Sequence, residues 1–415
     1  MPSDPGIESG RRRRAYFRIS NIVRNTSTSV FETLKSTVSC SCPRAHDIGL
    51  QIRPPPITIP SDDDDDIRNK LQFKLVVSQK VPNADSYSRN WDILLLQPIA
   101  PFQTKHASVA SIISQPSSGA NIERKVRFST LGSQRSIVSE RPGCQSVVLE
   151  SAMSTLPLAT AWTPTQGGAQ KITDLCTYLQ ESAKSTANRQ CGQVSDLRKM
   201  RSIGDAYDVH HQPASQVELD WPFMSLGQVL SQATQSPTQL LYTERLRMAW
   251  LITLGHLQLG GTGWISSSPT HDQLFIHIHD REFQCRDIFV LHSFPAPSKE
   301  HNFSTIMMGL NSKSMMRCLG VLLIEVMLGG PIQTLVSVDG HAPTQNPEEL
   351  LSDVSVARNL LDRVDMKAGR RYTEAVRQCI SRAFREDSFS DTAAQNILAE
   401  IASLLEEDIK LSNIE

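Results

Sequence analysis

The chain has 415 residues, of which 39% are hydrophobic and 20% charged, and a formal net charge of −1. That length holds one large bilobal domain or two ordinary ones with ample core. The near-neutral balance argues against nucleic-acid binding, which calls for a basic excess. The apolar run Cys318 to Leu328 is interrupted by Glu325 and too short for a bilayer, so no membrane span is expected. No apolar signal core opens the chain, and the eight cysteines lack disulfide-scaffold spacing, which points to a cytoplasmic or nuclear location.

Residues 1–24 read as a disordered basic tail. Arg11–Arg14 is either a solvated run or a nuclear-localisation element. A short helix is predicted at Ser29–Val38, where Val30, Phe31, Leu34 and Val38 keep helical spacing. Gly49–Arg53 alternates apolar and polar residues, and Leu71–Val77 and Trp91–Leu96 are further strand candidates. Between them, Pro54–Pro56 and the acidic run Asp62–Asp66 read as a loop that cannot pack. Residues 103–170 read as a flexible insert, polar and punctuated by proline and glycine, with one strand pattern at Lys125-Val-Arg-Phe128.

From Ile172 the pattern becomes orderly. Ile172, Leu175, Cys176 and Leu179 share one helical face. Strand-like pieces follow at 191–197 and 202–210, then a short helix at Ser225–Leu230. The segment 240–259 predicts a helix with Leu246, Ala249, Trp250, Leu254 and Leu257 along one broad stripe. Residues 315–328 are apolar on nearly every face, so that helix must be buried centrally, and Gly329-Gly330-Pro331 ends it. Two more helices are predicted at Tyr372–Phe384 and about Thr392–Leu405, the second capped by Ser390 or Asp391.

The order of long helix, Gly261–Ile265 loop, Asp272–Ile276 strand and buried helix at 315–328 resembles a protein-kinase C-lobe. The chemistry of a kinase is missing from it. Phosphoryl transfer of that type needs a glycine-rich loop, a strand lysine, a catalytic aspartate with a nearby asparagine, and a metal-binding aspartate. Here Ser266, Ser267 and Ser268 stand where His-Arg-Asp would be, and Gln273 occupies the asparagine position. Asp280 and Asp287 follow without an Asp-Phe-Gly, and no GxGxxG occurs. No catalytic residue and no enzymatic activity are therefore expected.

Other constellations are plain. His271, His277 and His279 with Asp272 and Asp280 could form a metal site, but read more simply as a solvated strand and loop. Cys40-Ser-Cys42 with His46, and Cys176 or Cys191 as a fourth ligand, departs from usual zinc spacing and reads as packing. Lys125–Phe128 fits a phosphatase-docking pattern, with a buried strand the plainer reading. No metal site is expected.

The chain also resembles a fungal domain-of-unknown-function family, number 7580. Its members are degenerate kinase-like domains, often behind helical regions of the prion-inhibition type. The likeness rests on Cys40-Ser-Cys…His46…Leu50, Asp174-Leu-Cys176…Cys191-Gly192, Ser225–Leu230, Arg245–Ala249, Gly263-Trp264, Gly320–Glu325 and Tyr372–Val376…Cys379, covering about residues 28–408. It implies an α+β, bilobal, degenerate kinase-like fold. Residues 25–220 would be a β-rich N-lobe-like region and 221–415 a helical C-lobe. The implied function is a non-catalytic interaction or scaffold domain in fungal signalling or self/non-self recognition, with an unknown protein partner. The alternatives are a pseudokinase switch binding ATP and magnesium and, behind it, an enzyme with repurposed cleft residues such as His271, Asp272 or His277.

Overall fold

The computed structural model describes residues 5–38, 46–54, 63–79, 90–99, 170–184, 191–196, 206–212, 223–235, 240–265, 270–279, 284–294, 312–337, 351, 353–384 and 390–412. All of them belong to one compact unit formed by Met1–Phe102 and Ala169–Glu415. Apart from Gln170, the insert expected at 103–170, with Lys125–Phe128, lies outside the described residues. The secondary structure is α+β: a mixed sheet and a layer of helices.

Helix α1 spans Pro5–Thr37, where a disordered tail was expected as far as residue 24. Tyr16, Ile19, Val23, Thr26, Val30, Thr33 and Thr37 are all buried, at alternating spacings of three and four, which make one helical stripe. Three of these seven residues are threonines, which hydropathy does not mark as core. Thr26 Oγ1 donates to the Ile22 carbonyl and Thr37 Oγ1 to the Thr33 carbonyl, whereas Thr33 Oγ1 has no hydrogen-bond partner among the described residues. The acidic run also departs from expectation, because Asp64–Lys70 forms α2. Asp63 caps it by accepting from the Asp65 N–H; acidic residues occupy its first turn and Arg68 and Lys70 its last, as the helix dipole favours.

The sheet contains β1 (His46–Ile52), β2 (Phe73–Gln79), β3 (Asn90–Pro98), β4 (Gln170–Lys171), β5 (Cys191–Ser195), β6 (Ala206–Gln212), β7 (Phe223–Ser225), β8 (Leu274–His279) and β9 (Gln284–Phe294). Their order is β4-β5-β6-β3-β2-β1-β9-β8-β7, antiparallel except for β4 with β5. Because β9 pairs with β1 over seven residues, the sheet runs unbroken across position 221, where two lobes were expected to divide. The strands predicted near 49–53, 71–77, 91–96, 191–197 and 202–210 are present.

The remaining helices are α3 (Leu175–Lys184), α4 (Leu226–Gln235), α5 (Tyr242–Leu259), α6 (Ser312–Leu328), α7 (Ile332–Ser337), α8 (Val354–Ala383) and α9 (Asp391–Ser412). Asp174 caps α3 and Ser390 caps α9. Helix α6 is buried as its composition requires and ends at Gly329, whose φ of 82° is a left-handed conformation suited to glycine. Helix α8 begins eighteen residues before Tyr372 and is broken at Gly369 (φ 77°). Helix α5 is buried on every face from Met248 to Leu259, not along one stripe, with Arg247 the exposed residue of the turn before, because α1, α6, α9 and strands β1 and β9 all pack on it.

Polar tips fix how these layers meet. Trp264 donates its indole N–H to the Ser27 carbonyl (3.0 Å), so this residue anchors α1. Tyr207 reaches the Thr26 carbonyl from β6, Tyr16 bonds Glu406 of α9, and Tyr372 bonds the Leu323 carbonyl of α6. Leu319, Leu322, Leu323 and Val326 lie in the core. Leu322→Ala is expected to lower unfolding free energy in urea by roughly 2–5 kcal/mol through cavity formation. A loss below about 1 kcal/mol would contradict the packing described for α6.

Candidate functional site

Strand alternation puts Ile48, Leu50, Ile52, Leu75, Val77, Leu94, Leu96, Ile288 and Val290 on one face of the sheet, in the main core. The opposite face carries Gly49, Gln51, Lys74, Val76, Ile93, Phe275, His277, Asp287, Phe289 and Phe223. Trp91 of β3 and Phe223 of β7 have ring centroids 5.0 Å apart, although four strands lie between them in the sheet order. A flat sheet would hold them roughly 24 Å apart at ~4.8 Å per strand. The sheet is therefore curled until this face closes on itself, in the sense its native twist allows. Gly49 permits the curl: a Cβ there would lie 2.6 Å from Val76 Cγ2. The concave face is filled by fully buried Val76, Ile93 and Phe289, with Trp91, Phe223 and Phe275 packed against them. His277 stacks on Phe223 with centroids 4.6 Å apart and planes 11° from parallel.

One rim of that face is polar. Lys74 Nζ lies 3.1 Å from Asp287 Oδ2, with side chains only 16% and 22% exposed. Gln51 donates its amide to Asp287 Oδ1 (2.5 Å), Arg53 Nε donates to Gln51 Oε1 (2.5 Å), and Gln258 of α5 donates to the Arg53 carbonyl (3.0 Å). Burial pushes the Arg53 guanidinium pKa down, with Asp287 opposing it. Lys74 and Arg53 could together receive an anion, and Asp287 a cation, but each is already bonded to a neighbour in this chain. The Lys74 ammonium also stands 6.0 Å from the centre of the Phe289 ring.

A second cluster sits where the turn before β8 meets the helices. Glu325 of α6 is wholly buried, and its Oε1 accepts the Ile332 N–H of α7 (3.0 Å). His271 Nδ1 faces Glu325 Oε2 at 3.4 Å, and His271 Nε2 faces Asp272 Oδ2 at 3.7 Å. Glu325 is the largest cause raising the His271 pKa above the ordinary histidine value, against the opposing effect of burial. A different histidine, His256 of α5, is fully buried: its Nδ1–H donates to the Ile252 carbonyl (2.8 Å), and Nε2 has no hydrogen-bond partner among the described residues. Burial lowers its pKa to about 4, so it is neutral at physiological pH.

The residues weighed from sequence are dispersed by the fold. His271 goes to Glu325, whereas His277 goes into the aromatic cluster on the concave face. Asp272 is mostly exposed, and His279 ends β8 opposite Gln284. Gln273 joins the sheet through its backbone, accepting from the Leu291 N–H. His46 starts β1, opposite Phe294. Cys40, Cys42, Ser266–Ser268 and Asp280 lie outside the described residues, and the side chain of Cys191 is likewise undescribed. Among the described residues no group of three or more His, Cys, Asp or Glu is placed to hold a metal. No helix there is long and apolar enough to cross a membrane.

Sequence reasoning did not single out Gln51, Arg53 or Lys74, and it met Asp287 only as a missing motif. A strand at β1 was legible from its alternation, but β9 itself and its pairing with β1 were not. No protein-family model, curated protein or solved structure matches the chain.

Two measurements check this account. A double-mutant cycle with Lys74→Met and Asp287→Asn is expected to give a coupling of about 1–2 kcal/mol, above the range of exposed pairs. A coupling below about 0.3 kcal/mol would mean the rim is not assembled as described. His256 has a depressed folded-state pKa, so its contribution to stability is complete above about pH 6.5 and is lost as pH falls toward about 4. His256→Leu is expected to flatten the acid limb of the stability–pH curve, by an amount on the order of 3 kcal/mol, relative to the parent chain.

Proposed function

We propose that this chain is a non-catalytic interaction or scaffold domain of degenerate kinase-like ancestry, working in the cytoplasm or nucleus. The observation that carries the reading is the state of the concave sheet face. A ligand cleft needs open apolar walls with a few convergent polar groups. Here buried Val76, Ile93 and Phe289 fill the face, and the rim carboxylate of Asp287 is engaged by Lys74 and Gln51. The order of α5, loop, β8–β9 and buried α6 supports kinase-like ancestry, whereas the sheet unbroken across position 221 departs from two separate lobes. A protein partner, consistent with fungal signalling or self/non-self recognition, is the corresponding expectation.

The second reading, a nucleotide-binding pseudokinase, is favoured by one feature. Lys74 on β2 and Asp287 on β9 bring a cation and a carboxylate together, as phosphate and magnesium require. Melting of the whole chain with and without millimolar ATP and magnesium separates the two. Ligand at 100 times its dissociation constant stabilises by about 2.7 kcal/mol, enough to raise the midpoint by a few degrees. The scaffold reading expects no shift. A shift abolished by Lys74→Met would replace it with the nucleotide reading.

A further inference from the structure

We propose that His271 and Glu325 form a pH-operated latch, which pins the start of α4 and the turn before β8 onto α6 and opens as the surroundings become alkaline. The need for a cation is set by Glu325. Its carboxylate is fully buried, and among the described residues Oε2 has no hydrogen bond, only His271 Nδ1 at 3.4 Å. A buried carboxylate left without an opposing charge is strongly unfavourable.

The neighbouring elements offer no substitute among the described residues. Helix α4, helix α7 and strand β7 contain no charged side chain. Arg245 of α5 spends its guanidinium on the Leu240, Val326 and Met327 carbonyls, and Lys367 of α8 donates to the Leu328 carbonyl. Both cations cap the end of α6 and neither bonds the Glu325 carboxylate. Asp272, on the other side of the ring, adds a second negative charge that favours imidazolium.

The latch is mechanically connected. The Gly227 N–H of α4 donates to the His271 carbonyl (3.3 Å). A Cβ on Gly227 would collide with the His271 ring and lie 2.7 Å from Asp272 Oδ1, so α4 rests directly on this turn. Strand β7 runs straight into α4 and carries Phe223, which closes the concave face against Trp91 and Phe289. Latch and closure therefore share one segment, and opening the first loosens the second.

The sign of the effect follows from the geometry. The His271 pKa is raised in the folded chain, so its contribution is complete below about pH 6.5 and is lost as pH rises through the higher folded value. His256 acts on the acid side only, which keeps the two histidines separable.

The test uses the whole chain. An NMR titration of the His271 ring, assigned with His271→Asn, should give a midpoint above 6.5 that falls in Glu325→Gln. Hydrogen exchange of the segment 223–230, corrected for the intrinsic pH dependence, should accelerate several-fold between about pH 6 and 8.5. In His271→Asn the segment should already exchange fast at the lower pH. If Glu325→Gln does not fold, the parent titration and exchange decide alone. A His271 midpoint at or below about 6.5, or protection of 223–230 that does not change with pH, overturns the latch.

Discussion

Burial of α5 on every face from Met248 to Leu259 is the constraint from which the rest of the architecture follows. Three turns of helix with no solvent face need neighbours all round, and here they are the sheet, α1, α6 and α9. Polar groups on α5 set the registry. Arg245 caps the carbonyls at the end of α6, Gln258 holds the strand end at Arg53, and the Leu257 carbonyl accepts from Arg24 of α1. Each is a buried bond whose loss would strand a polar group, so these contacts specify one packing among many apolar alternatives.

The sheet separates two environments. Its outer face meets the helices and belongs to the main core, while its concave face encloses a second, aromatic cluster. Curling places β3 and β7 in contact, which explains why so short an edge strand as β7, three residues long, is held firmly: Phe223 touches Trp91, Phe289 and His277 at once. The polar rim at Lys74 and Asp287 lies beside this cluster and is bonded within the chain.

Two histidines, one fully and one partly buried, show how environment decides protonation. His256 is surrounded by apolar groups and one carbonyl, so burial dominates and keeps it neutral. His271 is flanked by Glu325 and Asp272, and these carboxylates outweigh its partial burial. The same residue type is thus shifted to opposite sides of its ordinary pKa according to its neighbours.

The sequence by itself determined what local pattern and composition control. The strands read near 49–53, 71–77 and 91–96 follow from alternation in the first and apolar, β-branched or aromatic runs in the others, and the burial of α6 follows from apolar residues on nearly all its faces. The stop at Gly329 and the cap at Ser390 follow from backbone chemistry within a few residues. Only the tertiary structure decided the rest. Three of the seven stripe residues of α1 are threonines, and they become core only because α5, α9 and β5 are there to cover them. The meeting of Lys74 with Asp287, 213 residues apart, and of His271 with Glu325 depends on strand pairing and helix packing. Periodicity reports which face of an element is apolar; it carries no information about which distant element that face will meet.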